Sequence, residues 1–340
     1  MIGIGRSSSH LVGLCRSQLF FRNNACLSFP KALKASVLKT PTMLKLSAPS
    51  LRQTNGRRFF TETGLLKHRW ASYFAGESAN RYVSLNRFQQ YQESGSNPNS
   101  LFKVTLFGLA LMTGIYFLSP YLFAYVPPFT YFRRNPKELV YALLGINVAV
   151  FGLWQVPRYW RFLQKYMLLE KRSIQSKWSL VGSAFSHQEF WHLGMNMLAL
   201  WSFGTSLSYM IGASNFFSMY MNCAIAGSLF SLWYPRLAKI MMMGPSLGAS
   251  GALFGVMGCF SYLIPNAEIL LFVFPIPGGA WLGFLGSAVW NIAGCVFRWG
   301  SFDYAAHLGG SVLGVIYGWY IAQQAEKQRE AQMQRLTKWF

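Results

Sequence analysis

The chain has 340 residues, 52% of them hydrophobic and only 12% charged, against roughly 25% charged residues in an average soluble protein. Its 31 Lys and Arg against 10 Asp and Glu give a formal net charge of +21, a balance that would suit a nucleic-acid partner if it were spread along the chain. It is not spread, because windows 104–132, 139–157, 190–235, 240–267, 269–297 and 304–325 hold no Lys, Arg, Asp or Glu, so nucleic-acid binding is set aside in favour of a polytopic membrane protein.

A span of the hydrocarbon core needs roughly 20 apolar residues and must satisfy its own backbone, so the windows are read as helices and the fold class as all-α. Ahead of them, residues 1–61 carry ten Lys and Arg and no acid; Glu62 is the first. That segment is rich in Ser, Leu and Ala, the make-up of a mitochondrial transit peptide, whereas a secretory signal would show a single basic cluster and then an apolar core. Arg57-Arg58-Phe59-Phe60-Thr61 resembles a matrix-processing site, so residues 1–60 are expected to be targeting sequence; an unstructured basic tail is the alternative. Residues 61–103, rich in Ser, Asn, Gln and Arg, read as a polar arm.

The first span is predicted over 104–125, ending near Pro127-Pro128, and a second over about 139–155. The connection 157–189 mixes aromatics with Lys and Arg, the composition of a helix lying in the membrane interface. The uncharged run 190–235 has room for two helices, with Gly212-Ala213-Ser214-Asn215 as the break. The stretch GPSLGASGALFG, 244–255, opens a helix over about 250–263 that Pro265-Asn266 stops. A further span covers about 269–296, broken or tilted around Pro275, Pro277 and Gly278-Gly279. The last runs over about 303–323 and leaves a charged tail at 324–340.

That makes one helix followed by six. With the arm on one side of the membrane, fourteen cations of the arm and loops fall on that side and seven on the other. Lys and Arg favour the side from which insertion starts, so the N-terminus is expected in the matrix of an inner-membrane protein. The five cysteines show no CxxC spacing and no disulfide framework, metal site or cofactor is expected.

Polar groups inside spans are expensive and are functional candidates by default. His192 and Asn196 stand i,i+4 on one helix and share a face. His307 lies in AHLGGSVLG, on the same face as Gly310, Gly314 and Gly318. Ser250, in GASGALFG, starts a helix whose unpaired N–H groups and neighbouring glycines suit a developing oxyanion. A hydroxyl is a weak nucleophile and needs a base within reach, so Ser250 alone reads first as a serine among packing glycines. If the glycine face of its helix, Gly251 and Gly255, meets that of His307, serine and histidine come together across the seam. Asp303, four residues before His307, is expected to cap the final helix; orienting the imidazole is the alternative.

GASGALFG, AHLGGSVLG and HLGMN together resemble the three signature elements of rhomboid intramembrane serine proteases. The one-plus-six layout with a transit peptide is similar to the mitochondrial, presenilin-associated rhomboid-like branch, and the resemblance covers residues 139–323. It implies a six-helix rhomboid core with one extra N-terminal helix. It makes Ser250 the nucleophile and His307 the base, with His192 and Asn196 of HxxxN stabilising the oxyanion and Gly248 shaping the turn. His187 matches a second, less essential histidine, and 157–189 the membrane-embedded first loop. Two positions depart from the pattern: Ser179 stands where an Arg follows Trp178, and Phe254 where many relatives carry a Tyr stacked on the histidine. The implied partners are transmembrane segments of inner-membrane proteins and the lipid bilayer. A helix-binding scaffold without activity and a transporter with a polar pathway through His192, Asn196 and His307 remain as alternatives.

Overall fold

The computed structural model describes residues 98–240, 244–271, 274–275, 277–300 and 302–337, all within the compact unit Thr61–Phe340. The expected transit peptide, 1–60, and nearly all of the polar arm lie outside the described residues. In chain order the helices are α1 (Pro98–Tyr125), α2 (Phe129–Arg134), α3 (Pro136–Trp154), α4 (Trp160–Tyr166), α5 (Ser179–Gly182), α6 (Phe190–Ala199), α7 (Thr205–Ile211), α8 (Ala213–Leu237), α9 (Ser250–Leu263), α10 (Gly279–Val296) and α11 (Tyr304–Thr337). A π-helical stretch, Leu200–Gly204, joins α6 to α7 without a break. This is an all-α polytopic membrane protein.

Among the described residues, four helices are long and apolar enough to cross a membrane: Ser100–Tyr125, α3, α8 and α10. The other predicted spans appear as the α6–α7 run, the shorter α9, and the first part of α11. Gly212, at φ 80°, ends one helix and starts the next. The region before α10 differs from expectation. The sequence assigned 269–296 to one interrupted span, but helix begins only at Gly279, after Pro277 and the left-handed Gly278 (φ 87°). Leu270–Leu271 and Phe274–Pro275 instead pair as a short antiparallel hairpin. Proline lacks the N–H a helix interior needs, and a left-handed residue reverses the chain. At the other end, α11 runs on to Thr337 through Ala, Gln, Glu, Lys and Arg, all good helix formers.

Helix α8 is the axis of the bundle. Its apolar window is 78% buried, against 17%, 33% and 22% for Ser100–Tyr125, α3 and α10. Its sequence explains this: Ser218, Ala224, Ala226, Gly227, Ser228 and Ser231 put small side chains on several faces, and neighbours close in around them. In lipid, such packing and interhelical hydrogen bonds replace the hydrophobic drive between helices. Asn222 Nδ2 donates to the Tyr317 hydroxyl (2.6 Å), Ser228 Oγ to the Leu180 carbonyl (2.8 Å) and Tyr234 Oη to the Cys295 carbonyl (2.6 Å). Helix α1 rests on α8 and on the connection through Leu101, Val104, Leu180, Leu229 and Leu232.

The candidate active site

The site begins with two helices that approach closely. A Cβ on Gly310 would overlap the carbonyl of Gly251, and one on Gly314 would overlap that of Gly255. The two glycine faces therefore meet, as the spacing allowed, and α9 and α11 come together backbone to backbone. At one end of this seam, Ser250 Oγ lies 2.8 Å from His307 Nε2. Ser250 is the first residue of α9, so its N–H has no partner inside the helix. His307 is buried one turn into α11, with Phe254 stacked on its ring at a 4.3 Å centroid separation and 22° between planes. Phenylalanine thus supplies the stacking surface at a position where no hydroxyl is available.

The turn ahead of Ser250 is fixed by the connection 157–189, which folds as short helical pieces joined by irregular backbone rather than one interfacial helix. Leu169 and Ser246 exchange backbone hydrogen bonds (2.9 and 3.0 Å), and the Gly248 N–H donates to the Ser183 carbonyl (2.8 Å). The Ala249 N–H donates to His187 Nε2 at 3.3 Å. Burial first, and His192 second, push the His187 imidazole down to about 3, so it stays neutral and accepts that bond. Trp154 Nε1 holds the same region from α3 through Ser186 Oγ (2.7 Å).

Gly248 has φ 125°, and a Cβ there would lie 2.7 Å from His192 Cε1 and 2.8 Å from Nε2. The missing side chain is thus the space that the His192 ring occupies beside the turn. Asn196, also buried, uses one Nδ2 hydrogen on the His192 carbonyl (2.7 Å). An amide nitrogen carries two, so one donor remains for a ligand.

Asp303 caps α11, accepting from the Ala306 N–H at 3.1 Å. Its other oxygen pairs with Lys171 Nζ at 2.9 Å and accepts from Ser231 Oγ. This largely buried pair ties the connection to the first turn of the histidine helix, while Ser179, in place of an Arg, bonds locally to the Ser176 carbonyl (2.7 Å). The partner of His307 Nδ1 is instead Asn291 Oδ1 on α10, at 2.7 Å. Sequence reasoning did not single out Asn291. The available signal was a lone carboxamide in an apolar helix, the same signal that marked Asn196.

A model of the rhomboid domain matches residues 175–324. The chain is 63% identical over 342 residues to the mitochondrial Rhomboid protein 1 of Saccharomyces cerevisiae, covering 98% of this chain and 99% of that protein. It is 33% identical over 186 residues to presenilin-associated rhomboid-like protein A, mitochondrial, of Danio rerio, covering 54% of this chain and 47% of that one. Against the human presenilin-associated rhomboid-like protein, mitochondrial, identity is 31% over 198 residues, with 57% and 51% covered. Rhomboids are intramembrane serine proteases. The chain belongs to the rhomboid family, in its mitochondrial, presenilin-associated rhomboid-like branch.

Proposed function

We propose that the chain is a serine endopeptidase of the mitochondrial inner membrane, cutting peptide bonds within or next to transmembrane segments of other inner-membrane proteins. The observation that carries this is the 2.8 Å contact between Ser250 Oγ and His307 Nε2 at the start of α9. Ser250 Oγ attacks the substrate carbonyl carbon as its proton passes to His307 Nε2. The negative oxygen so formed is received by the Ser250 backbone N–H, the free Asn196 amide hydrogen and His192, donors already in place before charge develops. Collapse of this intermediate breaks the C–N bond, and the Nε2 proton goes to the leaving amine. Water then gives a proton to Nε2 and attacks the acyl ester, and Ser250 leaves with its hydroxyl restored. The scheme needs no metal or cofactor.

The layout that accompanies this reading is a transit peptide over 1–60, a polar arm to 103, an extra helix over 104–125 and a rhomboid core over 139–323. A substrate helix must unwind to offer a carbonyl, which favours segments with small or helix-weakening residues at the cut. The test uses the protein in lipid with a fluorophosphonate probe and a single-span substrate. Labelling and cleavage are expected in the native chain and lost in Ser250→Ala, because the ester to the probe forms on that oxygen. A scaffold that binds helices without cutting would neither label nor cleave, and labelling that persists in Ser250→Ala would overturn the assignment.

A further inference from the structure

Proximity alone does not make His307 a base. A neutral imidazole carries one proton, and Nε2 accepts from Ser250 only when that proton resides on Nδ1. What fixes it there must be an acceptor with no proton of its own. Asp303 sits one turn back on the same helix, but its oxygens are held by the Ala306 N–H, Lys171 and Ser231. Phe254 stacks on the ring face and Tyr304 meets it edge-on, so neither accepts from Nδ1.

Asn291 meets the requirement. Its Nδ2 donates to the Ser287 carbonyl one turn back on α10 (2.8 Å), which leaves Oδ1 as the atom facing His307 Nδ1 at 2.7 Å. Turning the amide over would set Oδ1 against the Ser287 carbonyl, two acceptors face to face, and would set its NH2 against Nδ1. That arrangement loses one hydrogen bond and forces the imidazole into the tautomer with Nε2 protonated. The local bond on α10 therefore orients the carboxamide, the carboxamide places the histidine proton on Nδ1, and Nε2 is left with its lone pair toward Ser250 Oγ.

We propose that Asn291 is the positioning residue of the Ser250–His307 pair, setting the tautomer and ring orientation of His307 from α10 and stabilising the imidazolium without itself ionising. This rests on the protease reading above. Asn291 is 1% exposed on a helix whose apolar window is only 22% buried. Burying an amide there costs free energy unless it is bonded, and packing between α10 and α11 is served as well by an apolar side chain of similar size.

The contrast between a positioning and a packing role gives the test, made on the full chain in lipid with the single-span substrate. Asn291→Leu keeps the volume and removes the acceptor; Asn291→Asp restores an acceptor for the Nδ1 proton. Asn291→Leu is expected to keep its thermal stability and lose on the order of 10–100-fold in kcat, by analogy with the cost of removing a group that orients a metal-bound histidine, with KM little changed. Asn291→Asp is expected to retain more kcat than Asn291→Leu. A packing role predicts the reverse order, because lipid-buried Leu is tolerated and a buried carboxylate is not. A folded Asn291→Leu protein with native kcat, or a loss confined to KM, overturns the proposal by itself. If the native chain neither labels with fluorophosphonate nor cleaves, the protease reading falls and this one with it; if it does both beside a fully active Leu variant, only the role of Asn291 falls.

Discussion

Around Ser250 the decisive residues act mostly through what they lack or leave free. Gly248 combines a left-handed φ of 125° with a missing Cβ that would strike the His192 ring. Asn196 commits one amide hydrogen to its own helix and keeps the other. Gly248→Ala should therefore both strain the turn and displace His192, at a cost on the order of 1–3 kcal/mol for the backbone alone. That cost should appear as a lowered unfolding temperature, and displacement of His192 should lower kcat/KM for a single-span substrate. Gly244→Ala, four residues earlier in the same loop, is the control: a Cβ there meets nothing within 4 Å and the residue has no positive φ, so its kinetics should match the native chain. Gly248 and His192 were both visible as site candidates in the sequence, but their contact was not, since 56 residues and a whole helix separate them.

At the scale of helices, the proposed Ser250–His307 pair depends on one seam. Gly310 and Gly314 let α11 lie against the carbonyls of Gly251 and Gly255, and the serine and histidine stand at the end of that contact. Gly314→Val would push α9 and α11 apart. Overpacking of this kind costs about 1–3 kcal/mol, so thermal unfolding in detergent should shift down and Ser250 labelling should slow. Gly286→Val, on the exposed side of α10 with nothing near its Cβ position, should change neither. The periodic glycines announced this contact from sequence, because spacing of four residues aligns small groups on one helix face. The hairpin before α10 was less legible. Apolar composition continues through 269–278, and only Pro277 with Gly278 and Gly279 hinted that helix would begin so late.

For the molecule as a whole, the bundle is built around α8, and the connection 157–189 reaches back to hold both the serine turn and the first turn of α11. The largely buried pair Lys171–Asp303 joins these two, so the loop and the histidine helix are fixed relative to each other. The expected orientation in the membrane rests on charge. The arm and the loops assigned to its side carry fourteen cations against seven, so the N-terminus and the Ser250 turn are expected toward the matrix and the tail after α11 on the opposite face. A tag appended after Phe340 should be digested by protease in mitoplasts with an intact inner membrane. A shielded tag would reverse the orientation.

The sequence by itself determined the class, most of the spans and most of the candidate residues, because each is written in local terms. An uncharged window is long enough to span or it is not, a glycine every fourth residue lies on one face, and a polar side chain in an apolar run stands out by its cost. Tertiary structure decided which polar groups meet. Asp303, the acid nearest His307 in sequence, is drawn off to cap its helix and pair with Lys171, while Asn291, sixteen residues away on another helix, takes the Nδ1 position. Which acceptor reaches an imidazole depends on the path of the backbone between α10 and α11, and no local pattern encodes that path.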